Sequence, residues 1–75
     1  VRAYVLINAR TSEEREVTRA LRRMPGVLRA DDVFGSYDVI AEIEGPDLAA
    51  IGKLVFETIR VMPGVTDTLT CLAAE

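Results

Sequence analysis

Apolar side chains alternate from Arg2 to Asn8, with Ala3, Val5 and Ile7 on one side of the chain and Tyr4 and Leu6 on the other. A period of two in β-rich residues predicts a strand, and apolar residues on both faces predict that both faces are covered. The period then changes. Val17, Ala20, Leu21 and Met24 stand at i, i+3, i+4 and i+7, the single buried stripe of a surface helix. Thr11 and Glu14 have capping-box spacing, with Ser12 as a rival cap. Glu13, Glu14 and Glu16 come early and Arg19, Arg22 and Arg23 late, as the helix dipole favours, and Pro25-Gly26 ends the helix.

Val27 to Phe34 has the β-content of a second strand, although Arg29, Asp31 and Asp32 leave its inner face undecided. Phe34-Gly35-Ser36-Tyr37 reads as a tight type II′ hairpin with Gly at its first loop position. Tyr37 to Glu44 forms the third strand, where Val39, Ala41 and Ile43 alternate with Ile40, Glu42 and Glu44. Gly45-Pro46-Asp47 opens a second helix, with Pro46 suited to its first turn. Leu48, Ile51, Val55, Ile59 and Met62 make the core stripe of that helix. Leu54, Phe56 and Val61 fall off the stripe, which predicts a further contact, and Gly52 leaves room for another backbone. After Pro63 and Gly64, Val65 to Leu72 is the fourth strand.

A shift of 38 positions lays Met24-Pro25-Gly26-Val27 on Met62-Pro63-Gly64-Val65, Ala3 on Ala41, Val5 on Ile43, Val17 on Val55 and Leu21 on Ile59. The chain therefore reads as two strand-helix-strand units. Joined by a hairpin, they predict an α+β, ferredoxin-like βαββαβ sandwich: a four-stranded antiparallel sheet with two helices on one face. Tyr4, Leu6, Ile40 and Leu72 are then expected on the open face. Face-to-face pairing of two such sheets, a dimeric α+β barrel, would cover them.

Size supports that expectation. A single domain of 75 residues and 8.2 kDa has a folded surface of about 4,500 Å² against about 11,900 Å² extended, a thin core. Small domains lean on disulfides, metals or partner chains. With no His and one Cys, neither an internal disulfide nor a Cys/His zinc site can form, so no metal or cofactor is expected and association is the remaining support. The absence of His also removes the commonest general base. Twelve acidic against nine basic residues argue against a nucleic-acid surface, and no stretch reads as a membrane span or signal peptide. The expected location is the cytoplasm.

Val-Phe-Gly-Ser-Tyr-Asp at 33–38 and Met-Pro-Gly-Val-Thr-Asp-Thr-Leu-Thr at 62–70 resemble segments of the C-terminal effector domain of the Lrp/AsnC transcription regulators, the RAM module. The resemblance runs over nearly the whole chain. It implies dimers that assemble into rings, with an amino acid bound near the hairpin where dimers meet. Full-length members also carry an N-terminal helix-turn-helix. The first strand here starts at about Val1, so the resemblance is to a stand-alone form, whether a short natural chain or an excised domain, and DNA binding is not carried over.

An amino-acid site needs an acid for the α-ammonium and backbone N–H groups for the α-carboxylate. Gly35, Ser36, Tyr37 and Asp38 of the hairpin are the candidates: Gly35 opens the backbone, Asp38 is the hairpin's acid and Tyr37 walls the pocket. The plain alternative is that Gly35 serves the turn, Asp38 caps the strand and Tyr37 packs. Thr68 and Thr70 are candidates from the fourth strand, although Thr is also simply a good strand residue. Arg15, Arg19, Arg22 and Arg23 read as a solvated face, Cys71 as a small buried residue, and adjacent Asp31 and Asp32 as pointing to opposite faces and unable to chelate together. Three functions follow. The first is an amino-acid-binding oligomerisation module. The second is a ligand-independent subunit that forms mixed oligomers with full-length Lrp/AsnC relatives. The third is a small α+β barrel enzyme, disfavoured by the lack of a nucleophile with a nearby base.

Overall fold

The computed structural model describes residues 1–74. Strand β1 (Arg2–Ala9), helix α1 (Glu14–Arg22), β2 (Val27–Asp32), β3 (Val39–Glu44), α2 (Leu48–Lys53) and β4 (Val65–Leu72) follow in the expected order. The sheet order is β2-β3-β1-β4 and every neighbouring pair is antiparallel, the ferredoxin-like arrangement. Helix α2 runs directly into a π-helical stretch, Leu54–Ile59, marked by the Arg60 N–H donating to Val55 O five residues back at 2.8 Å.

The internal repeat is a repeat of core positions. Ala3 and Ala41, Val5 and Ile43, Val17 and Val55, and Leu21 and Ile59 are all buried, so each superimposed pair occupies the layer between sheet and helices. The turns repeat as well. Val27 N–H donates to Met24 O and Val65 N–H to Met62 O, while Gly26 and Gly64 both have φ +92°. Pro at the second position and a positive-φ Gly at the third make each Met-Pro-Gly-Val a type II turn.

Several local expectations are corrected. The loop between β2 and β3 spans residues 33–38, because both strands stop short of the hairpin, at Asp32 and Val39. It is not a two-residue turn. A single cross-loop bond, Val33 N–H to Asp38 O, closes its base at 2.9 Å, and Gly35 has φ +148° at its tip. Helix α1 is preceded by Glu13 without a side-chain cap, and Ser12 has a positive φ, so no Thr11/Glu14 capping box forms. At α2 the cap is Asp47, whose Oδ1 accepts from Ala50 N–H at 2.8 Å, and Pro46 lies just outside the helix. Leu48 is exposed instead of joining the core stripe.

The register of β4 settles which residues share the open face. Leu6 pairs with both Ile40 and Leu69, and Tyr4 with both Glu42 and Cys71. Leu72 pairs with Ala3, a core residue, and therefore stands on the helix side. The expectation that Leu72 joins Tyr4, Leu6 and Ile40 is corrected: Leu69 and Cys71 take that place. Cys71 is exposed there rather than buried.

Candidate functional site

The hairpin region is built around the end of the β1–β3 ladder. The ladder ends at Ile7↔Val39, and Asp38 adds one last main-chain bond and one from its side chain. Its N–H donates to Ile7 O at 3.0 Å, and its carboxylate Oδ2 accepts from Ala9 N–H at 2.9 Å. A side chain thus replaces the next main-chain acceptor, and one carboxylate oxygen is committed to capping β1. The opposite orientation of Asp31 and Asp32 follows from pairing with Ile40 and Val39 respectively. Asp32 therefore lies on the helix side, where its Oδ1 meets the hydroxyl of buried Thr18 on α1. That hydroxyl is also 3.0 Å from Glu14 O, and its single proton has two acceptors within reach.

These contacts frame a cleft of about 520 Å³ between the hairpin loop and the start of α1, lined by Ala9, Thr11, Glu14, Arg15, Asp32, Val33, Phe34 and Asp38. Of the hairpin candidates, Asp38 is in its wall. Gly35, Ser36 and Tyr37 belong to the same loop but do not line it. Gly35 would meet no atom within 4 Å if it carried a Cβ, so its positive φ, not crowding, is what favours glycine there. Phe34 holds its ring fully in solvent at the rim.

Thr68 and Thr70 lie on β4 and pair with Ile7 and Val5 of β1, so β1 separates them from β3, a span of roughly 10 Å across two inter-strand gaps. They do not join the cleft within one chain. Thr70 instead borders a groove of about 280 Å³ with Leu48, Ile51, Gly52, Val55, Phe56 and Leu72, between the second helix and β4. The space foreseen beside Gly52 exists, since a Cβ there meets nothing.

Sequence reasoning missed Thr11, Glu14, Arg15, Asp32 and Phe34. In the sequence Glu14 reads as part of a capping box, Arg15 as part of a solvated face and Asp32 as a strand residue whose face is undecided. The distance from the hairpin to the first turn of α1 becomes short only when β2 folds back beside α1. A register for β2 would have been the signal, and the bulge between Val27 and Arg29 obscures it.

On the open face of the sheet, Arg2 Nη1 donates to Tyr4 Oη at 3.1 Å and to Glu42 Oε2 at 2.8 Å. The Tyr4 contact first and the carboxylate second raise the pKa of the guanidinium above its ordinary value. Ile40, Leu6 and Leu69 form an apolar row across three strands beside this polar border.

Comparison with known proteins completes the picture. The family model of the Lrp/AsnC ligand binding domain matches residues 2–75. An uncharacterised HTH-type transcriptional regulator from Pyrococcus furiosus is 28% identical over 60 residues, 80% of this chain and 40% of that protein. A homocitrate synthase from Sulfurisphaera tokodaii is 38% identical over 56 residues, 75% of this chain and 12% of that protein. The chain thus spans less than half the length of either relative. Among solved structures, a hypothetical protein from Pyrococcus horikoshii superimposes with TM-score 0.92 and 35% identity, covering 99% of this chain and 89% of that one. A transcriptional regulator from Neisseria meningitidis, in complex with L-methionine, has the same fold, with TM-score 0.87 and 24% identity over 99% of this chain and 49% of that one.

Proposed function

The chain belongs to the Lrp/AsnC ligand-binding domain family, and from that premise we propose that it is an amino-acid effector-binding and oligomerisation module rather than an enzyme. The observation that carries the reading is the cleft beside Asp38, whose lining brings the acidic residues Glu14, Asp32 and Asp38 together with the basic residue Arg15. A free amino acid presents both charges on one carbon and needs both complements within a few ångströms. Asp38 suits the ammonium because Ala9 N–H fixes one of its oxygens and thereby orients the other. The L-methionine held by the regulator from Neisseria meningitidis supports the ligand class. Its fold is the one found here.

Oligomerisation is the second half of the proposal. Tyr4, Leu6, Ile40, Leu69 and Cys71 form an apolar surface that a second sheet would cover, and covering it would supply burial that a chain of this size lacks. The same surface favours a second reading, a ligand-independent subunit that forms mixed oligomers with longer members of the family. The homocitrate synthase match, confined to 12% of that enzyme, gives this chain no catalytic step.

The test is a thermal-shift screen of the twenty amino acids, followed by calorimetry and light scattering. One amino acid, or a small chemical group of them, should raise the melting temperature, because a ligand that binds only the folded chain stabilises it by mass action. If none does and the chain still assembles, the second reading replaces the first.

A further inference from the structure

Phe34 and the groove between the second helix and β4 lie at opposite ends of the sheet, and we propose that they join separate copies of the chain: Phe34 of one copy seats in the groove of the next. Phe34 is 107% exposed, so its ring gains no burial from its own chain. The groove is apolar and has a gap of side-chain size. Leu48, Gly52 and Phe56 follow at i, i+4 and i+8, which sets them along one side of the helix. Leu48 and Phe56 stand exposed, and between them a Cβ on Gly52 would meet nothing within 4 Å. Buried Ile51 and Val55 form the floor, with Leu72 of β4 at the far edge. The space is about 280 Å³, and an apolar cavity of about 150 Å³ already holds a benzene ring.

The two features are too far apart to meet within one chain. The hairpin is anchored where Asp38 N–H meets Ile7 O, whereas Leu72 pairs with Ala3 on the edge strand β4. Four residues of β1 and two inter-strand gaps lie between them, roughly 13 Å by 10 Å. The contact is therefore head-to-tail: each copy offers one knob and one groove until a ring closes. Charge favours the same pairing. Around the knob stand Glu14, Asp31, Asp32 and Asp38 against Arg15 and Arg22, four acids to two bases, whereas residues 48–61 hold Lys53 and Arg60 against Glu57. The Arg60 guanidinium lies 5.0 Å from the centre of the Phe56 ring, so a positive charge stands at the edge of the groove. Complementary charge steers and orients such a contact. One aromatic knob covers less surface than a stable protein pair needs. The contact thus rests on the sheet pairing proposed above and joins chains already paired, where it is made more than once.

The chain has no Trp, so Phe34→Trp puts a single fluorescent reporter on the knob. Its emission should move to shorter wavelength as the concentration is raised from micromolar toward millimolar, and the shift should vanish when Gly52→Leu is added. Leucine is a stronger helix former than glycine and its Cβ enters open space, so Gly52→Leu should melt no lower than wild type. Sedimentation velocity gives the second readout. Wild type should form particles larger than a dimer, while Phe34→Ser and Gly52→Leu should each stop at the dimer, their further association weakened at least about tenfold. An equimolar mixture of the two variants should restore the larger particle, because one brings grooves and the other knobs. A self-complementary patch would give no such recovery. A wild-type dimer that grows no further, or a Phe34→Ser particle as large as wild type, would overturn the knob and leave sheet pairing standing. An emission shift that survives Gly52→Leu would place the knob on a different surface and overturn the groove, and a mixture that stays dimeric would overturn the head-to-tail contact. A wild-type chain that is monomeric at every concentration would overturn this contact and sheet pairing together.

Discussion

The carboxylate of Asp38 accepts a hydrogen bond from the Ala9 N–H at 2.9 Å, so one side chain both ends the β1–β3 ladder and faces the hairpin cleft. The two roles separate by substitution. Asp38→Asn keeps an oxygen for Ala9 N–H and removes the charge. It should leave stability nearly unchanged while weakening amino-acid binding about tenfold or more. Asp38→Ala removes both, and should cost roughly 1–2 kcal/mol of stability, a drop of several degrees in melting temperature for a chain this short. Urea melts of the two variants, read beside calorimetry, check the pair. Unchanged affinity in Asp38→Asn would reduce Asp38 to a strand cap.

Thr18 joins α1 to β2 at the other side of the cleft, through Asp32 Oδ1. Thr18→Val keeps the buried volume and deletes the hydroxyl. Asp32 can turn to water, being exposed, so the loss should stay near 1 kcal/mol. Ligand affinity should fall as well, because Asp32 is then free to rotate out of the wall. A stability change with no change in affinity would show that Asp32 is not held for binding.

The sequence made the core legible because two kinds of information coincided there. Ala3, Val5, Val17 and Leu21 have matching periodicities, and their counterparts 38 positions on repeat them, so each unit corroborated the other. The cleft had no such support. Its wall combines Ala9 at a strand end, Glu14 and Arg15 in the first turn of a helix, and Asp32 on an edge strand, none of which repeats. Leu72 shows the same limit. Thr68, Thr70 and Leu72 alternate with Leu69 and Cys71, but both sets contain apolar residues, and only the pairing of Leu72 with Ala3 says which set faces the helices. The hairpin motif located the loop correctly. Its length does not show in the sequence, because Phe34 and Tyr37 have high β-propensity yet lie outside the ladder.

Gly26 and Gly64 occupy equivalent turns, and both should resist substitution. Each has φ +92°, and a Cβ at Gly64 would sit 3.1 Å from Glu13 Oε1 and 3.2 Å from Val17 Cγ2. At Gly26 it would lie 3.1 Å from Leu54 Cδ2 and 3.4 Å from Glu44 O. The conformational cost in a left-handed geometry is about 1–2 kcal/mol before any contact is counted. Gly26→Ala and Gly64→Ala should therefore each destabilise by at least about 1 kcal/mol in urea unfolding. Gly35→Ala, where a Cβ meets open space, carries the backbone cost alone and should be the mildest of the three. Equal losses at all three would mean that the neighbouring atoms at Gly26 and Gly64 yield freely.

Leu6, Leu69 and Leu72 provide a test of how the chain associates. Leu6 and Leu69 are partners on the open face of the sheet, whereas Leu72, 53% exposed, borders the groove on the helix side. If sheets pair face to face, Leu6→Lys and Leu69→Lys place a charge inside the contact with no partner for it. Both should shift the particle in light scattering from an even-numbered oligomer toward the 8.2 kDa chain at micromolar concentration. Leu72→Lys should leave the oligomer intact, because its stem can lie along the groove while the ammonium stays in water. The reverse pattern, dissociation by Leu72→Lys alone, would move the contact to the groove between the second helix and β4. A wild-type chain that is monomeric at that concentration would instead remove self-association and leave the open face to a different partner.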